Sequence, residues 1–260
     1  MPTVPLLSGK GLDALSAFAT SNVLVAFDFD GTLAPITRTP KEASLPPATA
    51  RLLADVARRY PLVVISGRAL RDVRRRLHDI PVWYVFGNHG IEPEHKSPDT
   101  TVTRAWIGLL RRRLKASGVI IEDKRHTVTL HYRTAPDRER AQQAIREAVR
   151  ALPDVRVIGG HEAVNLLPRD AANKGTALRD AVARFACDAA IYVGDDDTDE
   201  DAFSGLAAGR LLGIRVEPSD ASKATYHLGS QAEINGLLRS LTRLRTRRVV
   251  GPPGIEPGTP

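Results

Sequence analysis

Two aspartates stand two residues apart in Asp28-Phe29-Asp30-Gly31-Thr32-Leu33, directly after an apolar run, Val23–Asp28. Side chains at i and i+2 of a strand share a face. Where the strand gives way to a loop, one carboxylate can approach a reacting atom while the other reaches past it. Gly31 permits a tight turn and exposes main-chain N–H groups, which suits an anion. Three readings fit the motif: a carboxylate nucleophile with a proton-transferring neighbour, the Asp-x-Asp metal pair of a nucleotide-sugar glycosyltransferase, or an acidic loop with no chemistry. The first leads.

A second acidic cluster, Gly194-Asp195-Asp196-Asp197-Thr198-Asp199-Glu200-Asp201, puts five Asp in seven residues. Such a run repels itself unless a cation or a helix N-terminus compensates. Thr198 is placed to cap the helix that begins here. An EF-hand loop fails, because the sixth position counted from Asp195 is Glu200 rather than Gly. Hard carboxylate oxygens suit Mg²⁺, which takes few protein carboxylates together with waters and a phosphate. Asp195 and one or two others are expected to touch metal, with Asp197, Glu200 and Asp201 solvated or capping. Ser66-Gly67-Arg68 adds a hydroxyl and N–H groups where an anion would sit. Lys174 opens a helix, where its charge is unfavourable unless an anion offsets it.

These pieces need a scaffold that aims them at one place. Apolar runs bounded by turn formers read as buried parallel strands: Val23–Asp28, Leu62–Ser66, Val82–Phe86, Ala190–Gly194 and Leu211–Val216. Helical segments lie between them at Pro46–Arg59, Ala69–Leu77, Lys174–Phe185 and Thr198–Ala207. The alternation predicts an α/β fold, a Rossmann-like doubly wound parallel sheet. Asp28, Ser66 and the Gly194-Asp195 junction fall at strand C-termini, where such sheets keep their ligand crevice. The middle of the chain changes pattern. Helices over Thr101–Lys115 and Asp137–Ala151 alternate with strand pairs Val119–Glu122 with Thr127–Tyr132 and Val155–Ile158 with Ala163–Leu166. This is an inserted α/β cap layer. The expected organisation is core 1–95, cap 96–168, core 169–240 and a basic, Pro/Gly-rich, disordered tail 241–260.

The ordered set of Asp-x-Asp-Gly-Thr, a Ser after the second strand, Lys174 and a Gly-Asp-Asp cluster resembles the haloacid-dehalogenase-like (HAD) phosphohydrolases. Finer motifs resemble one branch, the trehalose-phosphate phosphatase family. They are Gly87-Asn88-His89-Gly90, Glu122-Asp123-Lys124, His131-Tyr132-Arg133 and Gly194-Asp195-Asp196-x-Thr198-Asp199-Glu200-Asp201-Ala202-Phe203. The resemblance implies that Asp28 attacks phosphorus and that Asp30 protonates the leaving alcohol, then activates water. It implies Mg²⁺ on the Asp28 carboxylate, the Asp30 carbonyl and Asp195, with Asp199 nearby. Ser66, Gly67, Arg68 and Lys174 would bind the phosphoryl group. Glu122, Lys124 and Arg133 would reach sugar hydroxyls from the cap, with Asn88 and His89 on the core side. One position departs from that family: Asn165 stands where a Glu three residues before a Pro is usual, here Pro168. An amide both donates and accepts but gives no charge-assisted bond. The resemblance implies a phosphorylated disaccharide, trehalose 6-phosphate, as substrate; the Asn165 departure keeps another sugar phosphate, such as sucrose phosphate or glucosylglycerol phosphate, as the alternative.

Composition narrows the partners. The chain of 260 residues is 42% hydrophobic and carries a net charge of +7. Gly236–Pro260 contributes +4 of it from five Arg and one Glu, leaving +3 elsewhere. With aromatics at only 5%, base stacking has few donors, so nucleic acid is not an expected partner. No apolar run approaches the ~20 residues that span a bilayer. Asp13 interrupts the stretch Gly11–Phe27, which argues against a signal peptide. A single cysteine, Cys187, fits a reducing, cytoplasmic compartment. A monomer is expected.

Overall fold

The computed structural model describes residues 3–37, 42–93, 100–160 and 162–246. In chain order the elements begin with β1 (Val4–Pro5), α1 (Gly9–Ala19), β2 (Val23–Phe27), α2 (Pro47–Ala57), β3 (Leu62–Ile65), α3 (Leu70–Arg76) and β4 (Tyr84–Phe86). Then follow α4 (Thr100–Arg113), β5 (Ile120–Asp123), β6 (Val128–His131), α5 (Arg138–Val149), β7 (Val155–Gly160) and β8 (Ala163–Pro168). The chain closes with α6 (Lys174–Arg184), β9 (Ala189–Gly194), α7 (Glu200–Phe203), β10 (Leu211–Val216), β11 (Tyr226–Leu228) and α8 (Ile234–Leu244).

Two compact units result. The first runs to Gly90 and resumes over Asn173–Asp195 and from Asp199 onward; the second is Ile91–Ala172 with Asp196–Thr198. Their junctions fall at 90/91 and 172/173 rather than at 95/96 and 168/169. Part of the expected first boundary, residues 94–99, lies outside the described residues.

In the first unit seven parallel strands take the order β1-β11-β10-β9-β2-β3-β4. Continuous apolar strands are what such a sheet requires, because both faces are covered. Period-two alternation sorts them. Val23, Val25 and Phe27 of β2 join the core shared with α1, α2 and α8, while Leu24 and Ala26 join the core shared with α6. The chain winds outward from β2 through β3 to β4, then restarts on the other side of β2 at β9. Strands β2 and β9 are therefore neighbours across the point where winding reverses, the position at which α/β sheets open a crevice. The outer strands β1 and β11 hold two and three residues, too short to show in an apolar pattern.

The second unit is a four-stranded antiparallel sheet, β5-β6-β8-β7, with α4 and α5. Trp106, Leu110, Val128, Leu130, Ile145 and Leu166 lie in its core. Asp137 caps α5 by accepting from the Arg140 N–H at 2.9 Å.

Two expectations about helices need correction. The helix expected over Thr198–Ala207 is a 3₁₀ turn, Asp197–Asp199, followed by only four α-helical residues. The Gly205 N–H turns back onto the Ala202 carbonyl at 2.8 Å, a tightened i→i+3 closure. Thr198 does not cap; Asp199 occupies the N-cap position, without a side-chain cap bond. Residues 241–244, expected to belong to the tail, are helical. Ile234, Leu237, Leu238 and Leu241 form one buried stripe of α8 at helical spacing, and the helix continues to Leu244. The Tyr60 hydroxyl donates to the Leu241 carbonyl at 2.9 Å. Residues 247–260 of that tail lie outside the described residues. Leu241→Ala is expected to cost about 2–5 kcal/mol in a urea titration. A change below about 0.5 kcal/mol would put the boundary back at 240.

Candidate active site

The acidic residues meet because β2 and β9 run side by side, with Phe27 opposite Val193. Asp28 follows the one strand and Asp195 the other. The Asp28 N–H still pairs with the Val193 carbonyl at 2.9 Å, so the nucleophile candidate is fixed by sheet hydrogen bonding. Behind it the chain turns tightly: Gly31 N–H donates to the Ala34 carbonyl, and Ala34 N–H to that of Phe29, both at 2.8 Å. Gly31 has φ +79°, and a Cβ there would collide with the Asp195 carboxylate. Glycine is required on both counts.

Carboxylate oxygens of Asp28, Asp195 and Asp199 lie within 4.8 Å of one another. Lys174, 2% exposed, reaches into the cluster; its Nζ stands 3.2 Å from Asp28 Oδ1 and 2.7 Å from Asp199 Oδ1. Its main chain begins α6, where Asn173 caps by accepting from the Thr176 N–H at 2.9 Å. The Tyr192 hydroxyl donates to Asp199 Oδ1 at 2.6 Å, and the Asp195 N–H donates to Asp199 Oδ2 at 3.0 Å. Thr32 donates to Asp195 Oδ1 at 2.9 Å. Asp199 thus ties strand, helix and acidic loop together from a fully buried position.

Electrostatics follow from burial and crowding. Burial pushes the Asp28 carboxyl well above its ordinary value, against the pull of Lys174 and with the help of Asp199, Asp195 and Asp30. Burial also works against a charged Lys174, but Asp199, Asp28 and Asp195 outweigh it and hold the ammonium protonated. Among the described residues the Lys174 ammonium stands against this group of three carboxylates. That donor set, all hard oxygen, fits a divalent cation.

The remaining core-side residues converge on the same end of the sheet. Ser66, buried, accepts at Oγ from the Arg68 N–H at 3.1 Å. The His89 N–H donates to the Ser66 carbonyl at 2.9 Å and the Asn88 N–H to that of Arg68 at 2.7 Å. Asn88 and His89 both have positive φ, and a Cβ on Gly67 would press on the His89 ring. The turn Asn88–Gly90 is therefore packed directly on Ser66-Gly67-Arg68. The Arg68 guanidinium, expected as a phosphate ligand, engages the carboxylates of Asp30 and Asp72.

The acidic run divides as its neighbours dictate. Asp197 is exposed, as expected. Glu200 is neither free in solvent nor a cap. It accepts from Arg215 at 2.9 Å, Ser222 Oγ at 2.7 Å and the Lys223 N–H at 2.8 Å, stapling the 217–224 loop to α7.

In the second unit Glu122 pairs with Thr129, and Thr129 with Asn165, in adjacent strand registers. These side chains share the sheet face opposite Val128, Leu130 and Leu166. Glu122 Oε2 lies 2.8 Å from His131 Nε2 and 3.8 Å from Lys124 Nζ. The Thr129 hydroxyl donates to Asn165 Oδ1 at 2.9 Å. Arg133 Nε lies 3.2 Å from Glu162 Oε2. Tyr192, Asp72 and Thr129 escaped the sequence reading. Tyr192 carried one usable signal, the shared strand face with Gly194 two residues on.

The trehalose-phosphatase family model matches residues 26–232. Among curated proteins, a trehalose-phosphate phosphatase of Mycolicibacterium paratuberculosis is 34% identical over 78% of this chain and 57% of its own. One of Mycobacterium bovis is 32% identical over 89% and 66%. A probable trehalose-phosphate phosphatase of Sinorhizobium fredii is 33% identical over 90% and 94%. The chain thus spans less than two thirds of the mycobacterial relatives. The C-terminal domain of Candida albicans trehalose-6-phosphate phosphatase shares the fold, with TM-score 0.79 at 23% identity over 93% of this chain and 99% of its own.

Proposed function

The chain belongs to the trehalose-phosphatase family, and from that premise we propose that it hydrolyses trehalose 6-phosphate to trehalose and phosphate through an aspartyl-phosphate on Asp28. The observation that carries the reading is the buried Asp28 carboxylate, 3.2 Å from the Lys174 ammonium and clustered with Asp195 and Asp199. In the first step an Asp28 oxygen bonds to phosphorus and the P–O ester bond breaks. The electron pair stays on the sugar oxygen, which takes a proton from Asp30. In the second step water attacks phosphorus, Asp30 accepts a proton from it, and the bond to Asp28 breaks to restore the carboxylate. Ser66 and the Gly67 N–H face the phosphoryl oxygens with Lys174, whose charge offsets the repulsion between the two anions.

Asp28, Asp195, Asp199 and the Asp30 carbonyl would hold Mg²⁺, which supplies further charge neutralisation when bound. Sugar recognition is assigned to Glu122, Lys124, Arg133 and Asn165, and to Asn88 and His89. Asn165, with Oδ1 already accepting from Thr129, offers a sugar its N–H donors where a Glu would offer acceptors. Among the described residues no helix is long and apolar enough to cross a membrane. With Cys187 reduced and buried, a cytoplasmic monomer is the arrangement this reading takes.

Phosphate release across trehalose 6-phosphate, sucrose phosphate and glucosylglycerol phosphate tests it. Trehalose 6-phosphate is expected to turn over fastest, chelation to abolish all release, and added Mg²⁺ to restore it. Equal rates on all three would end the sugar assignment; full activity in chelator would end the cation's role.

A further inference from the structure

Arg68 is held at every end. Its Nε and Nη2 donate to the two oxygens of Asp30 at 2.6 and 2.7 Å, and Nη1 donates to Asp72 Oδ2 at 2.7 Å. Asp72 is gripped in turn by Arg75 at 2.6 Å and Arg76 at 3.1 Å. The guanidinium carbon lies 5.8 Å from the centre of the Phe29 ring. The Arg68 side chain is 11% exposed, whereas Asp30 is 39% exposed. Main-chain bonds to Ser66 Oγ and from the Asn88 N–H lock its backbone as well.

We propose that Arg68 is the positioning residue for the acid–base carboxylate Asp30, and that Asp72 anchors it in that task. The proposal rests on the roles given above to Asp28 and Asp30. A carboxylate as exposed as Asp30 has several staggered orientations open to it. A planar fork that binds both its oxygens selects one, fixing the carboxylate plane as no point charge would. The guanidinium is itself oriented from behind by Asp72, so the order passes from α3 to the reacting end of β2. Burial works to raise the Asp72 carboxyl, but hydrogen bonds from Arg68, Arg76 and Arg75 outweigh it and hold it at about 2. The anchor therefore stays ionised throughout the neutral range.

Arg68→Lys keeps the charge and loses the fork. The ratio kcat/KM reports only steps up to release of the alcohol, the step in which Asp30 gives its proton. A sugar alkoxide leaves poorly and needs that proton; p-nitrophenolate does not. Arg68→Lys should lower kcat/KM for trehalose 6-phosphate by about 10²-fold, within the usual span of general acid catalysis. On p-nitrophenyl phosphate the loss should stay within about 3-fold, and inhibition by inorganic phosphate should not change. Asp72→Asn should give a weaker form of the same selective loss. In an Asp30→Asn background Arg68→Lys should add nothing, because the two act as one unit. Equal losses on both substrates, or weakened phosphate inhibition, would overturn the proposal and make Arg68 a phosphate ligand. That outcome leaves the nucleophile standing if Asp28→Asn is inactive; an active Asp28→Asn would instead remove the reading beneath both.

Discussion

Asp28→Asn should abolish phosphate release on every substrate, by at least about 10⁴-fold, while leaving the protein folded and at least as stable as the parent. The activity loss follows from the bond the carboxylate has to make, which an amide cannot. The stability gain follows from the surroundings. Asp28 is almost fully buried, within reach of two further carboxylates, and burial already disfavours its charge. Replacing it by a neutral isostere removes repulsion and a desolvation cost at once. Lys174 keeps Asp199 as a partner at 2.7 Å, so no cation is stranded. Steady-state release in the presence of Mg²⁺ and a thermal melt in the presence of chelator separate the effects. Turnover within tenfold of the parent would exclude a covalent role for Asp28. A clear fall in melting temperature would mean that the cluster stabilises the fold, contrary to the crowding argument.

This opposition between stability and chemistry explains why the acidic cluster stood out in the sequence. A fold under no functional demand does not place an apolar strand, two aspartates and a glycine in succession, because each acid costs stability where it sits. The departure from what folding prefers is the signal. Asp28, Lys174 and Asp195 were visible because their types are wrong for buried strand ends and helix starts. The central strands were visible for the opposite reason, since continuous runs such as Val23–Phe27 are needed by a sheet covered on both faces. Partners whose chemistry is ordinary stayed hidden. Tyr192 reads as one more apolar strand residue, and Asp72 as one more acid on a helix rich in arginine. Their roles come from tertiary placement: Tyr192 reaches Asp199 only because the 3₁₀ turn after β9 folds back, and Asp72 reaches Arg68 only because α3 starts immediately after the Ser66-Gly67 turn. Arg68, expected to bind phosphate, pairs with Asp30 and Asp72. The carboxylates it meets come from β2's end and from α3, two elements that sequence spacing does not bring together. The edge strands β1 and β11 were lost to length, and the helices α1 and α8 were not among those expected, although Ile234, Leu237, Leu238 and Leu241 carry helical spacing.

Lys174→Met should be the most damaging single change in the molecule, because here structure and chemistry depend on the same atom. The ammonium is buried and contacts Asp28 and Asp199 directly. Removing one partner of a buried ion pair leaves the other uncompensated, at a cost of about 3–5 kcal/mol. Methionine fills the volume of the stem but supplies no charge, so the loss is electrostatic rather than a cavity. Two carboxylates would then face one another with Asp195 close by, and the cheapest relief is protonation. The variant's stability relative to the parent should therefore recover as the pH is lowered towards the carboxyl range, the reverse of losing a salt bridge at the surface. Mg²⁺ offers a second relief. If the acidic cluster is a cation site, millimolar Mg²⁺ should raise the melting temperature of Lys174→Met more than that of the parent, by mass action on the folded state alone. Turnover should stay low even when the ion restores folding, because the phosphoryl group still lacks its ammonium partner. A variant that melts with the parent, with or without Mg²⁺, would show that the buried charges balance without Lys174.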